Sequence, residues 1–259
     1  MLRCMLCMIL CLVSVPALAL EQSCIILYDL DNNHVAFQQG SGFCDTRLPV
    51  DSTFKVALSL MAFDQQLITE DTLFHWDGVH RSLPAWNHNQ TPASWLRYSV
   101  VWVSQRLTPQ LGLSKINHYL SLFEYGDQDF SGDAGKNNGL THAWLSSSLT
   151  ISAKEQVSFL RRLIEGQLPV SHVAMVTTRK NMYLKTLDDG YELFGKTGSG
   201  VIPPGGVIGN GWFVGYLMND LHRYVIVSDC SDSQAVDSVN KNGVKAERKA
   251  IHAFDAWIT

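Results

Sequence analysis

The sequence has no block of one charge. Its 20 lysines and arginines against 24 aspartates and glutamates leave a net charge of −4. That argues against a nucleic-acid partner, which needs a basic surface, and against an acidic or basic polymer. After the first residues, no segment reaches the roughly 18 apolar residues of a membrane span. The nine histidines are scattered without an HExxH, so no resident metal is expected. Internal repeats and low-complexity linkers are also absent, which excludes solenoids and flexible tethers. What remains is a globular chain of 259 residues, long enough to bury a sizeable core and with seven Trp and eleven Phe to fill it.

The N-terminus reads "MLRCMLCMILCLVSVPALAL", with a lone cation at Arg3, an apolar stretch, and a small-x-small "ALA" at 17–19. This is the pattern of a secretory signal peptide over 1–19, cut near Ala19. The expected location is periplasmic, with no membrane contact in the mature form. A lipid anchor is not expected, because Glu21 and Gln22 precede Cys24 where small residues would be needed. Cys4, Cys7 and Cys11 leave with the leader, and no CxxC survives. Cys24, Cys44 and Cys230 remain, too few for a disulfide scaffold. Cys24 and Cys44 flank a hairpin turning at Asn32 and Asn33. Whether they pair is open from the sequence.

"CIILYDLDNNHVAFQQ" reads as strand, Asx-rich turn and strand. Residues 48–63, "LPVDSTFKVALSLMAF", read as a helix with Asp51 as N-cap. Helical patterns follow in "TPASWLRYSVVWVSQRLTPQLG", "LSKINHYLSLF" and "SAKEQVSFLRRLIEGQL". Between the last two lies a long loop, "FEYGDQDFSGDAGKNNGLTHAW", rich in Gly, Asp and Asn. "YELFGKTGSG" reads as a strand ending in glycines. "NGWFVGYLM" and "HRYVIVSDC" read as antiparallel strands, and the chain ends in a helix. Strands at both ends and helices between them predict an α/β (α+β) fold. Its mainly antiparallel sheet would come from 20–64 and 190–259, with a helical lobe at 65–189 inserted.

The chemistry centres on Ser52 and Lys55. At i and i+3 they share one helix face. A serine is a poor nucleophile until a base takes its proton, and a lysine is such a base only if burial lowers its pKa. Phe54, Val56, Ala57 and Leu58 supply apolar surroundings. Alone, SxxK is weak evidence. "SVV" at 99–101 and "KTG" at 196–198 complete an ordered set far more specific than any member. Lys196 and Thr197 on a strand edge can meet a carboxylate, and Gly198 allows close approach.

With "STFK", "SVV", "YGD" at 125–127, "WLSSSL" at 144–149 and "KTG", the sequence resembles the class D, oxacillinase-type serine β-lactamases over its whole mature length. The resemblance implies a β-lactamase/transpeptidase-like fold and hydrolysis of penicillin-type antibiotics, conferring resistance. It implies that Ser52 forms an acyl-enzyme and that Lys55 is carboxylated on its ε-nitrogen as general base. Carbon dioxide or bicarbonate is then the sole cofactor. Ser99 would shuttle a proton to the lactam nitrogen, and Trp144 would donate its indole N–H to the carbamate. Val101 and Leu145 would wall the pocket, while Lys196, Thr197 and Gly198 would line the substrate carboxylate site. The N–H groups of Ser52 and Ser199 would form the oxyanion hole.

Two positions depart from the pattern. Asp127 stands where the family has asparagine. No arginine clearly follows the last strand to grip the substrate carboxylate, where Asn242, Lys245 or Arg248 is nearest. Partners beyond a β-lactam are not implied, and relatives occur as monomers and homodimers. A non-hydrolytic β-lactam sensor domain and a small penicillin-binding protein are the alternatives. The first is tethered behind membrane helices, and the second usually carries SxN where this sequence has Val101.

Overall fold

The computed structural model describes residues 22–203, 208–232 and 239–258. The leader expected at 1–19 lies outside them. The chain opens with strands β1 (Gln22–Asp29) and β2 (His34–Gln39), the short strand β3 (Leu48–Pro49) and helix α1 (Phe54–Asp64). Helices α2 (Pro92–Arg97), α3 (Val101–Leu111) and α4 (Leu113–Phe123) follow, with the single turn α5 (Gly139–His142). Then come β4 (Thr150–Ile151), α6 (Ala153–Ile164) and α7 (His172–Asn181). Strands β5 (Tyr183–Thr186), β6 (Glu192–Ile202), β7 (Ile208–Met218) and β8 (Arg223–Asp232) lead into α8 (Val239–Ile258).

The two chain ends build one antiparallel sheet in the order β2-β1-β8-β7-β6-β5, the mixed α/β architecture expected. β1 lies against β8 in unbroken register, from Gln22 opposite Ser231 to Asp29 opposite Tyr224. Side chains alternate between the faces, as the pleat requires. One face carries Leu27, Phe213 and Ile226 against Ala246, Ala250 and Phe254 of α8. The other carries Ile26, Val214 and Val227, which join the core that α1 and α6 fill. The sheet reaches back before residue 190, because β5 belongs to it. That strand is short, mostly exposed and without apolar alternation, so no pattern announces it. The segment 65–189 is not purely helical either, since it also carries β4.

Every residue of α1 from Phe54 to Phe63 is buried. A helix apolar on all sides belongs at the centre of a core. It begins later than expected. Leu48 and Pro49 pair with Ile151 and Thr150 instead, and a 3₁₀ turn, Asp51–Thr53, precedes the helix. Pro49 fits a strand edge because it has no N–H to pair. Its carbonyl accepts hydrogen bonds from Trp212 Nε1 and Asn210 Nδ2, each at 2.8 Å. Asp51 does not cap the helix: no side chain does so at either start.

The helical pattern over 91–112 breaks in the middle, where Ser99 has a φ of 58°. α2 starts at a reciprocal capping box between Thr91 and Ser94, and α6 at another between Ser152 and Glu155. Cys24 and Cys44 form a disulfide, with Cα atoms 5.1 Å apart. A cross-link of this loop length stabilises by about 3 kcal/mol in the chain-entropy account. The long loop is packed on its own polar side chains. Asp133 accepts from Ser147 Oγ and Asn138 Nδ2, both at 2.9 Å. Asp127 accepts from Thr150 N at 3.0 Å and Thr150 Oγ1 at 2.5 Å, and so anchors β4.

Candidate active site

The 3₁₀ turn places Ser52 half-buried, two residues before α1 begins. Lys55 Nζ lies 3.0 Å from Ser52 Oγ, within reach of its proton. Lys55 is 0 % exposed. Burial, and then the charge of Lys196, push its ammonium well below the ordinary lysine value, while Asp51 opposes them. Both influences favour the neutral amine over the ammonium. The apolar run around Lys55 is therefore the cause of its chemistry, because α1 offers no route to solvent.

Trp144 follows α5 at the end of the long loop. Its indole stacks on Phe54 at a centroid distance of 5.5 Å and on Phe130 at 6.0 Å. Its Nε1 is buried and has no hydrogen-bond partner among the described residues. A buried indole N–H usually finds an acceptor. Trp144 packs on Phe54, the residue next to Lys55 in the chain, so this orphaned donor fits an acceptor group carried by Lys55. Val101, Leu145 and Ser99 are each half-buried, Ser99 at the break between α2 and α3.

β6 presents the third wall. β5 pairs with it only as far as Phe194, so among the described residues no strand lies beside 196–200 on that edge, and Val201 N donates to Ser146 Oγ beyond them. At Gly198 a Cβ would stand 3.1 Å from Thr53 Cγ2 and 3.3 Å from Val50 O. The missing side chain lets the Ser52 turn lie against the strand. Lys196 is 4 % exposed, and its Nζ donates to Thr197 O at 2.7 Å. Burial lowers its pKa to about 7, partly offset by the Glu247 carboxylate. Thr197 and Ser199 are half-buried, and Ser199 Oγ accepts from Gly243 N at 2.8 Å. A cavity of ≈ 260 Å³ opens here, lined by Arg97, Lys185, Lys196, Thr197 and Glu247 among others.

Ser52, Lys55, Lys196 and Thr197 thus fall on adjoining elements. Of the residues considered for the missing arginine, Asn242 is buried and Arg248 is exposed. Arg97, which sequence reasoning passed over, shares the cavity with Lys196 instead. Glu247, Ser146 and Asn210 were also passed over. Glu247 and Asn210 lie in distant segments that no motif marks, whereas Ser146 sits inside "WLSSSL" without having been given a task.

The penicillin binding protein transpeptidase domain family matches residues 23–252. β-Lactamase OXA-1 of Escherichia coli is 45% identical over 240 residues, covering 92% of this chain and 86% of that protein. The crystal structure of OXA-427, a class D β-lactamase, superposes with a TM-score of 0.81 at 34% identity, covering 91% of this chain and 98% of that one. The C-terminal domain of the Bacillus licheniformis BlaR penicillin-receptor superposes with a TM-score of 0.76 at 25% identity, covering 88% and 90%.

Proposed function

The chain belongs to the penicillin-binding-protein transpeptidase family and, within it, to the class D β-lactamases, and on that premise we propose that it opens β-lactam rings through an acyl-enzyme at Ser52, with Lys55 as the seat of the general base. The observation that carries this reading is the fully buried Lys55 amine 3.0 Å from Ser52 Oγ. Ser52 Oγ bonds to the lactam carbonyl carbon, the C–N bond breaks, and Ser99 passes a proton to the ring nitrogen. Water then cleaves the ester and returns the proton to Ser52. The N–H groups of Ser52 and Ser199 receive the charge that develops on the carbonyl oxygen. Lys196 and Thr197 meet the substrate carboxylate, and Val101 and Leu145 wall off water. Carbon dioxide, added to the neutral Lys55 amine as a carbamate, supplies the general base. Trp144 would hold that group through its unpartnered N–H.

The leader over 1–19 and a periplasmic location belong to the same proposal. The Cys24–Cys44 disulfide supports them, because such bonds persist in oxidising compartments. Oxacillin and a chromogenic cephalosporin, with and without bicarbonate, test the whole reading. Steady turnover that rises with bicarbonate is expected. Stoichiometric labelling without turnover would favour a receptor, the second reading that the likeness to the BlaR domain supports.

Trp144→Phe keeps a ring against Phe54 and removes only the N–H. A hydrogen bond to a charged group contributes about 1.5–3 kcal/mol, so deacylation should slow by roughly one to two orders of magnitude. Added bicarbonate should restore part of it. Equal loss in acylation and deacylation, with no bicarbonate response, would refute the role given to Trp144.

The Lys196 charge sets a second expectation. Its pKa is about 7, so the free enzyme loses this cation as pH rises through neutrality, and KM for penicillins should climb on the alkaline side. Glu247→Gln removes the anion that supports the charge. The limb should then move to lower pH while kcat at its plateau holds. Profiles of kcat/KM from pH 6 to 9 check this, and an unmoved limb would contradict it.

A further inference from the structure

Helix α8 turns its acids and two of its bases to different sides. Glu247 and Asp255 line cavities toward β5 and β6, each shared with Lys185. Lys249 and His252 line another cavity on the opposite side of the helix, against β1 and β2. Among the described residues that line this second hollow, no side chain is acidic.

The hollow has a cause in the sequence. α8 rests chiefly on β6 and β7 and reaches β1 only at its margin. Ile25 and Phe37 turn to the same face of the sheet as Leu27, as the two-residue period requires. Opposite them α8 offers Ala253 and Ala256, whose side chains are too short to fill the gap. The cavity of ≈ 530 Å³ that results has the size of a small-molecule site.

Trp257 forms a further wall. Its side chain is 37 % exposed, yet the ring is held edge-on to Tyr224 at a centroid distance of 5.2 Å. Tyr224 in turn meets Phe254, which is fully buried, at 5.8 Å. A large apolar ring fixed beside an open hollow is a preformed surface for an apolar ligand. None of this belongs to the reaction. Ser52 and Lys55 go with α1, which packs on the other face of the sheet.

We propose that the cavity between α8 and the β1–β2 hairpin is a binding site for an amphipathic monocarboxylate, an unbranched alkyl chain ending in one carboxyl group. The chain lies over Ile25, Phe37 and the Trp257 ring, and the carboxylate meets Lys249 and His252. Two properties select this class. A small inorganic anion gains nothing from the apolar floor, and a cationic amphiphile is repelled by Lys249. The hollow is concave and walled, which suits a ligand that inserts rather than the broad flat patch of a protein partner. The site is independent of the function proposed above.

The test is calorimetric titration of the mature protein with dodecanoate at pH 7.5 and low ionic strength, below the concentration at which it forms micelles. One site with a Kd on the order of 10 µM is expected. Decanoate, shorter by two methylenes, should bind roughly ten-fold more weakly. Ala256→Trp fills the hollow and should weaken dodecanoate by about ten-fold or more. Lys249→Glu reverses the charge and should also cost about ten-fold, whereas Lys249→Arg should hold the affinity. All three variants should turn over a chromogenic cephalosporin as the parent does, which shows that they fold. Absence of binding to the parent, or undiminished binding in Ala256→Trp or Lys249→Glu, would overturn the proposal. So would a dimer in sedimentation that Ala256→Trp dissolves while dodecanoate leaves it intact, because the hollow would then belong to a second copy.

Discussion

Ser52→Ala is expected to abolish covalent labelling by a penicillin and to cut turnover on the order of 10⁵-fold. The size follows from the geometry. No other described hydroxyl has both a buried amine at 3.0 Å and the neighbouring edge of β6. Ser99, proposed above as the proton shuttle, stands at the break between α2 and α3. Ser52 is only half-buried and Ala is a mild change in a turn, so stability should hold within about 1 kcal/mol. A thermal melt therefore separates a catalytic loss from a folding loss. Mass spectrometry of the peptide spanning Ser52 reads the result. Labelling elsewhere in the variant, with turnover intact, would show that the nucleophile had been misassigned.

Lys55→Met should produce the second-largest effect, of a different kind. Methionine matches the length of the buried stem and removes the amine. General-base catalysis contributes about 10²–10⁴-fold, so turnover should fall by that order, and bicarbonate should not restore it. The acyl-enzyme should accumulate, because water attack depends on the base while ring strain in the substrate still assists the first step. Stability moves the other way. Lys55 is fully buried among Phe54, Val56 and their neighbours, where a polar nitrogen is a burden on the fold. The variant should melt no lower than the parent, and higher at acid pH. Burial places the folded-state pKa of Lys55 below its unfolded value, so the native protein loses stability as pH falls and protonation is forced. Full activity in the variant, or a bicarbonate response, would refute the role.

Much of this site was readable before any coordinates. SxxK and KTG mark two walls that meet where Gly198 lies against Thr53, and the apolar run after Ser52 already implies a buried lysine. α4 occupies the segment its periodicity marks. What escaped depends on partners far away in sequence. Leu48 and Pro49 look like the start of a helix, yet Thr150 and Ile151 draw them into a ladder. Asp51 sits where aspartate ordinarily caps, but Ser146 and Asn210 offer it three stronger donors. The run 91–112 is periodic enough for one helix, and only the left-handed backbone at Ser99 divides it. Asp127, a puzzle as a departure from the family pattern, becomes plain once Thr150 is seen beside it. Periodicity reports the face that a segment turns to the core. It says nothing about which distant segment covers that face.

The pairing of β1 with β8 has a consequence for the order in which the molecule can be made. Gln22 meets Ser231 and Asp29 meets Tyr224, so the first strand has no neighbour on that side until the ribosome has passed Ser231. A sheet closed by its two ends cannot mature from the front, and such long-range closure is slow. The nascent chain stays threadable for most of its synthesis. Under the export proposed above, this topology postpones folding until translocation is under way.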